Sequence, residues 1–120
     1  MKALIRKSIR SSALWVAVSL ALPACASLEG ARLYASGTRA LEAGRPEQAA
    51  ADLEAASRLL PASSAIQNHL GLAYVQIGRD GEAAAAFQRA VELDCGNDAA
   101  ESNLRAAEAG RLRPPGDDHE

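Results

Sequence analysis

Aromatic residues are nearly missing from this chain of 120 residues, where Trp15, Tyr34, Tyr74 and Phe87 are all there are. Strands of a β-sandwich or barrel draw on aromatic and β-branched side chains, so the shortage argues against both. Cysteine is limited to Cys25 and Cys95, which excludes a framework of several disulfides. The two histidines, His69 and His119, stand 50 residues apart, and a metal site needs several ligands converging at fixed spacing. No Gly-Lys-Ser/Thr follows any glycine, so there is no phosphate loop. Lysine is confined to Lys2 and Lys7, and no acid precedes Glu29. What is abundant is alanine, at 28 residues, the best helix former. At about one domain per 100 to 200 residues, the length allows one small all-α domain.

The charge is unevenly spread. Lys2, Arg6, Lys7 and Arg10 precede the 18 uncharged residues Ser11 to Leu28, whose apolar centre is Ala13 to Leu22. A basic region, an apolar stretch and a small-residue end are the layout of an export signal, here residues 1–26. Ala24-Cys25-Ala26 fits ordinary cleavage after Ala26. Leu22-Pro23-Ala24-Cys25 resembles a bacterial lipobox, which would make Cys25 the lipidated residue, although Pro23 replaces the small or β-branched residue usual there. An uncleaved anchor is the third alternative, since 18 uncharged residues approach the length of a bilayer span. The resemblance implies a bacterial envelope protein facing the periplasm, anchored at the outer membrane because Ala26 rather than Asp follows the cysteine; soluble periplasmic placement is the alternative. Without the signal the chain carries nine Arg against 15 acids, a net charge of −6. Cys95 is then alone, and is expected to be a small buried hydrophobe, with an intermolecular thiol as the other reading.

The alanine-rich body aligns with itself at an offset of 34 residues. Gly37 falls on Gly71, Gly44 on Gly78, Ala49 on Ala83, Leu53 on Phe87, Ala56 on Ala90 and Pro61 on Cys95. A period in this range marks a stacked helical repeat. Leu70-Gly71, Tyr74, Ala83, Phe87 and Ala90 resemble the signature of a tetratricopeptide repeat. The resemblance implies a short α-solenoid of antiparallel helix pairs: a degenerate repeat over 30–63, with Ser36 for the signature Leu and Ala40 for the Tyr, and a second over 64–97. A capping helix at 98–110 and a disordered acidic tail at 111–120 would follow. Arg105 stands in that helix where a repeat has Gly, which suits a terminal cap.

Five helices are expected, at 30–43, 46–59, 64–77, 81–93 and 98–109. Gly44 and Gly78 are placed to end helices in the left-handed conformation, and Pro46 to open one. Ser64 with Gln67, and Asp98 with Glu101, are patterned as capping boxes. Leu70, Tyr74, Phe87 and Leu93 are the expected fillers between helices, with Gly71, Ala83 and Ala90 at close approaches.

In such repeats the first helix of each pair builds an inner wall that holds a partner. Helical phase puts Asn68, His69, Leu72, Val75 and Gln76 on that wall. Tyr34, Ala35, Thr38, Leu41 and Glu42 match them before it, and Ser102, Asn103 and Ala106 after it. The proposed partner-binding set is Tyr34, Thr38, Leu41, Asn68, His69, Leu72, Val75, Gln76 and Asn103, a groove for a mildly hydrophobic peptide in which Asn68, Gln76 and Asn103 can bond the ligand backbone. Where family members clamp a terminal carboxylate with Lys, Arg and Asn, this chain has Tyr34, Thr38, His69, Ala99 and Asn103, so that cationic clamp is absent. No catalytic residue, metal or cofactor is expected. Asp117, Asp118, His119 and Glu120 read as a solvated acidic end, and an acidic body disfavours nucleic acid. The expected function is an exported adaptor for a protein or peptide partner in cell-envelope assembly, of a pilus, secretion or outer-membrane complex. The alternative is a structural homo-oligomer stacking through its terminal helices, with Leu104 and its neighbouring alanines exposed.

Overall fold

The computed structural model describes residues 24–112, so most of the expected signal and nearly all of the tail lie outside the described residues. Five helices run through them: α1 over 24–42, α2 Pro46–Leu59, α3 Ser64–Gln76, α4 Asp80–Leu93 and α5 Asp98–Glu108. Pro46 opens α2, where its missing N–H costs nothing, with Glu47 in the first turn and Arg58 in the last, both favoured by the helix dipole.

One turn recurs three times. Gly44, Gly78 and Gly110 have φ of 68°, 76° and 65°, a conformation open to glycine at little cost. Each is followed by Arg, and each pair closes the preceding helix with the same two bonds. Gly44 N–H donates to Leu41 O and Arg45 N–H to Ala40 O, at 3.0 and 2.8 Å. The bonds of Gly78 to Val75 and Arg79 to Tyr74 repeat them, as do those of Gly110 to Ala107 and Arg111 to Ala106. This is the Schellman cap. The first two were expected from the spacing of glycines; the third, two residues short of the 34-residue register, was not.

The caps at the helix starts correct the expected boxes by one residue. Ser63 and Asn97, 34 apart, accept from Ile66 N–H at 3.3 Å and Ala100 N–H at 3.0 Å. Ser64 is drawn elsewhere: its hydroxyl donates to Ala90 O at 2.8 Å and accepts from Asn97 Nδ2 at 2.8 Å, tying α3 to the end of α4. The first helix is already helical at 24, the first described residue, ahead of the expected 30, and Ala24 to Glu29 contains nothing that interrupts helix. Those six residues are exposed except half-buried Ala26, and the first buried residue is Gly30.

The helices form two layers. α3 packs on α2, α4 and α5, and α5 also packs on α4, whereas α2 and α4 do not touch. α1 meets α3 through Tyr34 and His69 and α2 through Ser36 and Asp52, so α1, α3 and α5 group as one layer and α2 and α4 as the other. Between the layers Leu53, Ala73, Ala83 and Phe87 have no exposure. Phe87 lies over Gly71 so closely that a Cβ there would stand 2.5 Å from its Cε1; Gly37 holds the same relation to Leu53, with Cγ at 2.6 Å. Leu93 is only half-buried.

Two expectations fail on exposure. Cys95 is exposed, not buried, because it sits in the turn between α4 and α5. The stiffness that proline would bring there comes from Asp94, whose carboxylate accepts Gly96 N–H at 3.0 Å. Leu104, expected on an open face, is partly buried against the core.

Candidate partner-binding groove

Two side-chain links bind the three helices of the inner layer. Tyr34 on α1 meets His69 on α3 edge to face, with ring centroids 5.3 Å apart and planes at 84°. Asn103 Nδ2 on α5 donates to Asn68 Oδ1 on α3 at 2.9 Å. Both links join residues 35 apart, one more than the repeat length, so the same step is taken twice along the array. The wall they build has Thr38, Leu41, Leu72 and Val75 half-buried and Gln76 exposed. Leu41, Leu72 and Val75 lean one flank on the core and keep the other open.

The hydrogen bonding inside this wall corrects the expectation about its amides. Asn68 is only 8% exposed, and its carbonyl is taken by Asn103. Thr38 Oγ1 donates to Tyr34 O on its own helix at 2.9 Å. His69 Nδ1 lies 2.9 Å from Ala65 O, a pure acceptor, so Nδ1 donates to it and Nε2 makes no bond among the described residues. The Tyr34 hydroxyl, 3.3 Å from Nδ1, accepts a share of the same N–H. Of the three amides expected to serve a ligand, Asn68 is buried, Asn103 is half-buried with its Nδ2 engaged, and Gln76 is exposed. Helical phase alone could not show this, since it reports a direction and not whether a side chain has a neighbour to bond.

Charge is nearly absent from the wall. α3 contains no Asp, Glu, Lys or Arg. Exposed Glu42 at the end of α1 supplies the formal charge of the expected wall, with Ala35 and Ser102 exposed beside it and Ala106 half-buried.

A polar cluster that sequence reasoning missed lies on the other side of α3. Tyr74 OH donates to Glu54 Oε1 on α2 at 2.8 Å, and the Arg79 guanidinium covers the Tyr74 ring at 4.5 Å. Arg79 also pairs with Glu54 at 3.7 Å and with Glu82. Burial, then the bond to the Glu54 carboxylate, pushes the Tyr74 hydroxyl up to about 12, while the hydrogen bond from Arg79 holds Glu82 below its ordinary value. Beside this cluster an open cleft of about 290 Å³ is lined by Gln67, Leu70, Tyr74, Glu82, Ala85 and Ala86. The signal for the cluster was the Gly-Arg pair closing the helix that carries Tyr74. A second missed pair is Ser36 Oγ, which donates to Asp52 Oδ2 at 2.7 Å between α1 and α2. Among the described residues no group of three His, Cys, Asp or Glu converges as metal ligands would.

A profile of the tetratricopeptide repeat matches residues 34–100, more than half of the chain. The chain belongs to the tetratricopeptide repeat family. A search of curated proteins finds no match to it. The matched span begins at Tyr34 and ends at Ala100, so it takes in the Tyr34–His69 link and reaches the first turn of α5. Tetratricopeptide repeats generally bind protein partners and are typically non-catalytic.

Proposed function

We propose that this tetratricopeptide protein is an exported, lipid-anchored adaptor that holds a protein partner on the wall formed by α1, α3 and α5, in the assembly of a bacterial envelope complex. The observation that carries the binding part is the half-buried apolar side chains of Leu41, Leu72 and Val75 on helices cross-linked by Tyr34–His69 and Asn68–Asn103. Both ends of the array favour an adaptor over a stacking homo-oligomer. In the 34-residue register, exposed Arg32 and Arg39 replace Ile66 and Ala73, which are 1% and 0% exposed. At the other end Arg105, paired with Glu101, replaces Gly71, where the ring of Phe87 needs the missing side chain. Charged ends of this kind are what terminal repeats use to stay soluble.

Export and anchoring are supported by the order of Lys2, Arg6, Lys7, Arg10, the apolar stretch and Leu22-Pro23-Ala24-Cys25. Among the described residues, Ala24 to Glu29 are exposed except half-buried Ala26, and the first buried residue is Gly30, downstream of both processing sites. In-cell photo-crosslinking from Val75 and Gln76, with Glu47 on α2 as the control position, tests the adaptor reading. One partner band from the wall and none from Glu47 is expected, and equal capture from both positions would sink it. Globomycin tests the anchor, since normal maturation in its presence rules out lipidation of Cys25.

A further inference from the structure

We propose that the end of the array carrying Cys25 is itself a membrane-contact surface, in which Leu28 of α1 and Leu59 of α2 enter the bilayer interface and Arg58 meets phospholipid phosphates; this rests on the anchor reading above. Among the described residues the exposed large hydrophobic side chains are Leu28, at 56%, and Leu59, at 37%. Exposed leucines scattered singly over a surface are ordinary, but these two stand at one place. Gly30 lets the start of α1 lie so close to the end of α2 that a Cβ there would stand 2.7 Å from Leu60 Cγ and 3.2 Å from Leu59 Cβ. Leu28 precedes that contact by two residues.

What covers the patch follows from the chain beside it. Leu28 is three residues from Cys25 on the same helix, about 4.5 Å farther along its axis. A side chain that close to an acylated residue lies within the roughly 5–10 Å over which interfacial helices bury their apolar faces. Cys25, Leu28 and Ala31 recur at steps of three, on one face of α1, and all are exposed. The apolar stretch Ala13 to Leu22 ends three residues before Cys25, so an uncleaved anchor brings the bilayer to the same end. Charge agrees with this placement. Arg58 is exposed next to Leu59 and its guanidinium suits a phosphate, while Glu29 is paired with Arg32 at 3.9 Å. The acids Glu92, Asp94, Asp98 and Glu101 belong to α4, α5 and the turn between them, and neither helix touches α2. The contact is therefore confined to the first repeat. Because Leu59 closes its helix, the bilayer faces the start of α1 and the end of α2, and the Gly44 turn points away from it.

The test uses the processed full chain with Cys95→Ser, purified from membranes and returned to vesicles of three parts phosphatidylethanolamine to one of phosphatidylglycerol. Leu28→Cys, Leu59→Cys and Ala43→Cys each carry a fluorophore that nitroxide-bearing phospholipids quench, and each is checked for a native helical spectrum. Ala43 is exposed, 15 residues or about 22 Å along the helix from Leu28. The expected result is quenching by about half at Leu28→Cys and Leu59→Cys and almost none at Ala43→Cys. Adding Leu28→Glu should abolish quenching at Leu59→Cys while the protein still floats with the vesicles. Vesicle-bound protein quenched equally at all three positions, or at none, would overturn the membrane seat and leave the anchor standing. Emission from Leu28→Cys and Leu59→Cys that escapes the nitroxide and shifts with protein concentration would give the patch to a second copy and overturn the proposal. Protein that does not float with vesicles at all would overturn the anchor reading together with this one.

Discussion

Where the second repeat fills the space between its helices with Phe87 over Gly71, the first does so with Leu53 over Gly37; where the second has apolar Leu70 and Ala86, the first has Ser36 bonded to Asp52 at 2.7 Å. Tyr74 reaches across to Glu54 and Arg79, but its counterpart Ala40 is simply buried. The two repeats nonetheless end their first helices with the same Gly-Arg turn and the same pair of backbone bonds. A repeat can therefore lose signature side chains, and some of the volume between its helices, while its backbone turn is retained. The second repeat relies on a rigid ring and a polar cluster, the first on a flexible side chain and one hydrogen bond.

The largest test of that contrast is truncation of the two fillers. Phe87→Ala is expected to cost about 4 kcal/mol and Leu53→Ala about 3 kcal/mol in urea unfolding, which would leave this short array largely unfolded in the first case. Equal losses would erase the asymmetry. Adding a methyl beneath each filler sharpens it further. Gly71→Ala meets three atoms of a rigid, fully buried ring and should lose about 2 kcal/mol, whereas Gly37→Ala meets a fully buried but smaller leucine and the Ala49 carbonyl and should lose about 1 kcal/mol.

Tyr74→Phe should cost about 1 kcal/mol by removing the bond to Glu54. It should also change the alkaline melting profile. The folded Tyr74 holds its proton up to about 12 against 10.0 for the free group, so its stabilisation is complete below pH 10 and is lost as the pH rises from 10 towards 12. Melting temperatures of wild type and Tyr74→Phe should therefore converge across that window, and parallel curves would show the hydroxyl to be uncoupled from folding. Ser36→Ala is expected to lose about 0.5–1 kcal/mol in the same unfolding assay. The smallest effect belongs to Cys95→Ser, within about 0.5 kcal/mol, because the thiol is exposed in a turn; a larger loss would show that the turn depends on it.

Most of the helix limits were legible because glycine, proline and the 34-residue register act locally. Gly44, Gly78 and Pro46 stand where their backbone preferences require. The misses came from side chains with a choice of partner. Ser64 is as good a cap as Ser63 by residue type, but the approach of Ala90 O and Asn97 gives it a better use. Helical phase placed Tyr34, Leu72 and Val75 on the wall, while the burial of Asn68 depended on Asn103 arriving from a helix 35 residues away. Cys95 was misread because residue type reports average burial, and a turn between helices exposes whatever it contains.

The amino-acid sequence by itself determined the all-α architecture, the period and the turns, since each follows from residue types at fixed local spacing. Which polar groups remain free to meet a partner was decided only in the tertiary structure. Hydrogen bonds such as Asn103 to Asn68 and Tyr74 to Glu54 form between residues 35 and 20 positions apart, and their availability is set by which helices pack side by side.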